Sequence, residues 1–215
     1  MNTLISFLFV PIIGFIQPAL PAQTPDTKQL AVREFSLDRR YDDSFVNGVF
    51  KDNILLVLKY SSGEKIDPRN IDWKKVNEPF TQKLTLKPGE TFAYHEDVMP
   101  KYDGKAIKTT NALFNYAQGF KSDGWLMGDG VCHLASLLYW VAKDAGLDAV
   151  APVRHDFAII PQVPREFGVS IYNNPGKNAG DQAQNLYITN NKQKNVTFVF
   201  DYDGENLKIT AEEAI

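Results

Sequence analysis

This chain of 215 residues has one cysteine, Cys132, and three histidines, His95, His133 and His155. A lone thiol forms no disulfide within its own chain, so the fold must be held by its core. A chain of this length can bury enough surface to do that without covalent staples. Lys/Arg blocks are absent as well, and the formal net charge is −3. Positive charge clustered on one face is the footprint of nucleic-acid binding, and this composition disfavours that class. No repeat and no low-complexity stretch interrupts the sequence, which excludes solenoids and disordered arrays.

Charge is also missing from the first 22 residues. Residues 4–16 form a nearly continuous apolar run broken by Pro11 and Gly14, shorter than the roughly 20 residues a membrane-spanning helix needs. Small residues follow at Ala19 and Ala22. The expectation is a signal peptide or N-terminal anchor over residues 1–22, and hence an exported, extracytoplasmic or envelope-associated protein. The basic residue that usually precedes such an apolar core is missing here. A polar stretch with Pro25 then suggests a linker or N-terminal extension over residues 23–45, followed by a single domain over 46–215.

Within that domain the periodicity changes along the chain. Asn47-Gly48 reads as a turn, and residues 53–60 form an apolar run that suits a strand or a buried helical turn. Residues 68–76 suggest a short helix or turn anchored by Trp73. Residues 80–86 alternate as a strand does, and Lys87-Pro88-Gly89-Glu90 is a turn. Residues 91–94 then complete an expected hairpin. Residues 109–116 could be helical, and the glycine-rich stretch 119–130 is a loop.

The clearest helix spans 131–145, where Leu134, Leu138, Val141, Ala142 and Ala145 recur on one face. Asp129 is the expected N-cap and Gly146 the stop. Short strands are expected at 148–153, 157–160, 169–172, 185–189, 196–202 and 206–210, with a loop at 173–184. The fold class is α+β, a central cysteine-bearing helix on a mostly antiparallel sheet. Asp201, Asp203 and Glu205 read as part of a hairpin turn rather than a carboxylate site.

Chemistry concentrates at Gly128-Asp129-Gly130-Val131-Cys132-His133. A thiol in the first helical turn meets the positive end of the helix dipole, which lowers its pKa. The glycines allow close approach of a ligand to the backbone. His155 follows on the next expected strand, and cysteine opening a helix with histidine downstream is the order used by papain-like and transglutaminase-like enzymes. The candidate catalytic pair is Cys132 and His155. Candidate substrate-binding residues are Gly128, Asp129, Gly130, His133 and Arg154. Asn173, Asn174 and Asp201 are possible orienting groups, none favoured. The alternative is structural, because free cysteines are often small buried hydrophobes. Cys132, His155, His95 and His133 match no compact zinc spacing, so no metal and no cofactor is expected.

Several of these segments together resemble the VanW-like family. Residues 86–92 (LKPGETF) resemble its Leu-Asn-Pro-Gly-Glu-Thr-Phe, and residues 128–139 (GDGVCHLASLLY) its Gly-Gly-Gly-Val-Cys-Gln stretch ending in Leu-Tyr. Ala145-Gly146-Leu147, Arg154-His155 and residues 186–191 (LYITNN) continue the likeness in order over roughly residues 80–210. Asp129 stands where the family has its middle glycine, His133 where it has glutamine, and Phe157 where it often has a second histidine. The resemblance implies a cell-envelope association, with an activity not established for the family. A cysteine-dependent acyl transferase or hydrolase on peptidoglycan peptides is one implied function. A non-catalytic module for a cell-wall peptide or glycan, with Cys132 structural, is the other.

Overall fold

A computed structural model of the chain describes residues 27–125, 127–174 and 179–215. The expected signal peptide or anchor over 1–22 lies outside the described residues. Among those described, no helix is long and apolar enough to cross a membrane.

Among the described residues the architecture is α+β, with four α-helices and two four-stranded sheets where one sheet was expected. Strand β1 (Thr27–Ser36) pairs antiparallel with β8 (Asn206–Ala214). β8 pairs with β7 (Val196–Tyr202), and β7 with β2 (Phe80–Leu86). The second sheet runs in the order β4 (Ala106–Lys108), β3 (Thr91–Ala93), β6 (Tyr187–Thr189), β5 (Asp148–Val150). Its pairings are antiparallel except β3 with β4. The stretch expected as a linker or extension thus carries an edge strand of the first sheet and, from Ser44, the start of a helix.

That helix, α1 (Ser44–Ser61), begins under an N-cap in which the Asp43 carboxylate accepts from the Phe45 and Val46 amides. It absorbs both the expected Asn47-Gly48 turn and the apolar run after it. Asn47 does not turn the chain. Its buried side chain accepts from the Arg40 and Tyr41 amides and donates to the Tyr41 carbonyl, clasping the preceding segment to the helix. The helix's own Ile54, Leu55 and Leu56 are fully buried. A short α2 (Trp73–Val76) follows.

Helix α3 (Val131–Asp144) carries Cys132 and touches α1, β1, β5 and β8. Leu134, Leu137, Leu138, Val141 and Ala142 are buried along it, as the spacing required. Gly146 ends it at φ +70°, a left-handed position open to glycine. The last helix, α4 (Ala179–Ala183), occupies part of the expected 173–184 loop.

The expected hairpin of residues 80–94 does not form. β2 and β3 are consecutive yet do not pair, because the 87–90 turn carries the chain from the first sheet to the second. β6 and β7 make the return crossing. Both crossings meet at Asn190, whose amide donates to the Leu86 and Lys194 carbonyls, while the Asn190 backbone bonds Gly89 and Glu90. No helix forms over 109–115, and neither 157–160 nor 169–172 is a strand. The 169–172 segment is instead held by single bonds, with Ser170 N–H donating to Val153 and Tyr172 N–H to Gln184.

Candidate functional site

The loop before α3 is shaped by contacts with α1. Gly130 is the N-cap, at φ +96°, with no side-chain cap bond. A Cβ at that position would lie 2.6 Å from the Phe50 carbonyl oxygen, so only glycine fits between the loop and α1. Asn53 of α1 donates to the Asp129 and Lys121 carbonyls and accepts from the Lys121 amide, which fixes both ends of the loop. Asp129, expected as the cap, instead turns its carboxylate to the Asp123 amide at 2.8 Å. Burial raises its pKa to about 6, opposed by that amide and aided by the Asp123 charge.

A cleft of about 630 Å³ opens above this loop. Gly128, Asp129, Gly130, Cys132 and His133 line it, together with His155, Phe157, Ala158 and the 170–174 segment. Tyr41, Phe50, Phe114 and Met127 contribute apolar surface. Apolar walls with few polar groups are the usual character of a small-ligand site.

Cys132 is half-buried in the first turn of α3. Its sulfur is engaged by the main chain of Ile171: the Ile171 amide donates to Sγ at 3.4 Å, and Sγ reaches the Ile171 carbonyl at 3.6 Å. The expectation of a lowered thiol pKa is overturned. Burial pushes the thiol up to about 11, against the Ile171 amide, which favours the thiolate. Ser136, one turn on, donates to the Cys132 carbonyl and accepts from the Val169 amide, tying the 169–172 segment to α3.

His155 lies in a loop rather than on a strand, buried beneath that segment. Its amide donates to the Gly168 carbonyl. Its Nδ1 is 3.2 Å from the Ala158 carbonyl. A carbonyl only accepts, so Nδ1 carries the proton and Nε2 is the basic nitrogen. Burial lowers the ring's pKa, partly countered by this bond, and keeps it neutral at pH 7. Phe157 packs on the ring at 4.0 Å between centroids and is 66% exposed. The aromatic that stands in place of a second histidine is therefore a wall of the cleft. Among the described residues no hydrogen bond joins Cys132 to His155.

His133, expected as a ligand contact, is almost fully buried between Phe50, Tyr41 and His155. Burial, Arg40 and His155 together hold it well below the usual histidine range. Arg154 is exposed and does not line the cleft, although its neighbour does. Asn173 and Asn174 line it; Asp201 lies apart on β7, bonded to Thr81 and Lys208. His95 is buried elsewhere, between Gln184 and Asn185. Among the described residues no three His, Cys, Asp or Glu side chains converge as a metal site would require.

Sequence reasoning missed Arg40, Tyr41, Phe50 and Ala158. Nothing in the spacing of the Arg39-Arg40-Tyr41 run marks it as part of a site formed 90 residues later. A family model described as VanW like protein matches residues 75–211, more than half of the chain. No curated protein and no solved structure gives a match.

Proposed function

The chain belongs to the VanW-like family, and from that premise we propose an exported, cell-envelope-associated protein whose cleft binds a peptide or glycan of the cell wall. Cys132 serves in this reading as a hydrogen-bonded packing group at the cleft floor. One observation carries it: the Cys132 sulfur is satisfied by the Ile171 main chain inside a preformed, largely apolar cleft. A thiol raised to about 11 is protonated at neutral pH and a poor nucleophile.

A second reading, cysteine-dependent acyl transfer or hydrolysis on peptidoglycan peptides, is favoured by His155. Its ring is neutral, lines the same cleft, and has Nε2 as the basic nitrogen. The Ala158 carbonyl would do the orienting that a third side chain does in papain-like or transglutaminase-like sites. In that chemistry His155 takes the thiol proton as sulfur attacks the amide carbonyl. It returns the proton to the departing amine, and water or an acceptor amine then resolves the thioester. Catalytic hydrogen bonds often tighten only when substrate is bound.

Calorimetry with soluble muropeptides released by a muramidase tests both. The first reading expects saturable one-site binding, lost when Ala158→Trp fills the cleft and kept in Cys132→Ala. Absence of binding by the native chain, or binding indifferent to Ala158→Trp, would overturn it. Mass-resolved products formed by the native chain and not by Cys132→Ala would establish the second.

A further inference from the structure

Arg40 is a buried guanidinium, 7% exposed, with no ion pair among the described residues. Its Nε and Nη1 have no hydrogen-bond partner among the described residues, and burial lowers its pKa to about 10. Nη2 makes two contacts: it donates to the Pro161 carbonyl at 3.0 Å and lies 3.3 Å from His133 Nδ1. Such a residue is costly to bury, and its position behind the cleft calls for a reason.

The reason lies in hydrogen-bond direction. Arginine has donors and no acceptor, so His133 Nδ1 must accept. The proton of the neutral His133 ring is then on Nε2. His155 is fixed the opposite way, because Nδ1 donates to the Ala158 carbonyl and leaves Nε2 without a proton. The two rings line one cleft with centroids 6.1 Å apart and planes nearly perpendicular. We infer that Arg40 and the Ala158 carbonyl set His133 as a donor and His155 as an acceptor, a pair that selects ligands presenting an acceptor and a donor on one edge, as the C=O and N–H of one residue in an extended peptide or of a lactam do, the carbonyl accepting from His133 and the N–H donating to His155.

This deepens the binding reading and rests on the cleft being a ligand site. Arg40 precedes the family-matched segment, and His133 occupies a position where the resembling motif has glutamine. A glutamine amide also offers a donor, so the substitution preserves that capacity while Arg40 removes its ambiguity. Arg40 is a positioning residue in this scheme, because it acts through His133. Since both rings are buried and neutral, the pair reads hydrogen-bond polarity rather than charge.

Nitrogen-15 NMR of the imidazole rings tests the arrangement directly, since protonated and bare ring nitrogens differ widely in shift. The native chain should show His133 protonated at Nε2 and His155 at Nδ1. Arg40→Met should let His133 populate both tautomers and leave His155 unchanged. Titration with 2-pyrrolidinone, a lactam, should shift both rings, whereas N-methyl-2-pyrrolidinone, which lacks the N–H, should shift His133 alone. If Arg40→Met fails to fold, His133→Gln and His133→Phe serve: the glutamine variant should keep the His155 response to 2-pyrrolidinone and the phenylalanine variant should lose it. A native His133 protonated at Nδ1, equal responses to the two amides, or no response to either would overturn the inference. Failed muropeptide binding with these results intact would remove the wall ligand and leave the amide selectivity standing.

Discussion

The side-chain amide of Asn53 donates to the main-chain carbonyl of Asp129 at 2.7 Å, joining α1 to the loop that opens the cysteine helix. The same side chain satisfies the Lys121 amide and carbonyl, and it is fully buried. Asn53→Ala leaves two main-chain groups without partners, the Asp129 carbonyl and the Lys121 amide, while the Lys121 carbonyl keeps the Gly128 amide. The expected loss is about 3 kcal/mol of unfolding free energy, read by urea denaturation with an unchanged slope. A loss below about 1 kcal/mol would mean that water replaces the amide.

Two glycines with positive φ should respond differently to alanine. At Gly89, φ +77°, a Cβ would meet nothing within 4 Å. The cost there is backbone strain alone, about 1 kcal/mol. At Gly130 the Cβ would strike the Phe50 carbonyl as well. Gly130→Ala should cost about 3 kcal/mol or more and shift the amide resonances of α1 near Phe50. Equal costs at the two positions would contradict the close approach.

The buried thiol gives a kinetic prediction. With its pKa raised from 9.0 to about 11, the thiolate fraction of Cys132 at pH 7.5 is about a hundredfold below that of an unperturbed thiol. A more basic thiolate is also a stronger nucleophile, which returns part of the difference. Iodoacetamide should therefore modify the folded chain about tenfold more slowly than the urea-unfolded chain, and the folded rate should keep rising with pH beyond pH 9. A folded rate that levels off near pH 7 would instead indicate an activated cysteine.

Asp129 offers a test by pH. Its folded pKa, about 6, lies above the unfolded value of 3.8. The protonated form is thus favoured by folding: its stabilisation is full below about pH 3.8 and is lost as pH rises through about 6. Asp129→Asn keeps an oxygen for the Asp123 amide and carries no charge. The variant should melt higher than the native chain at pH 7.5, and the two should converge near pH 3.5. Lower stability at pH 7.5 would mean that the carboxylate is better solvated than its burial implies.

Helix α3 was legible because its apolar residues repeat on one face and its end is marked by Gly146. β2 and β7 were legible from their alternation and runs. α1 was obscured because Asn47 and Gly48 carry a turn signature, while the use of Asn47 as a clasp on residues 40–41 is a tertiary fact. The 87–90 turn was read correctly as a turn, but local sequence does not say which sheet receives the next strand. At the site, the glycine run, Cys132, His133 and His155 were singled out from residue types and order, and all line one cleft. Arg40 and the Ala158 carbonyl were not. A distant arginine and a backbone oxygen acquire their roles only when three loops meet, and neither leaves a spacing pattern.

The pairing of β1 with β8 joins residues 27–36 to residues 206–214. The first described strand therefore has no neighbour in its sheet until nearly the last residues of the chain are available, and the loop to be closed is almost the whole protein. Such long-range pairing forms late. A polypeptide delivered amino end first stays open at this edge throughout its delivery.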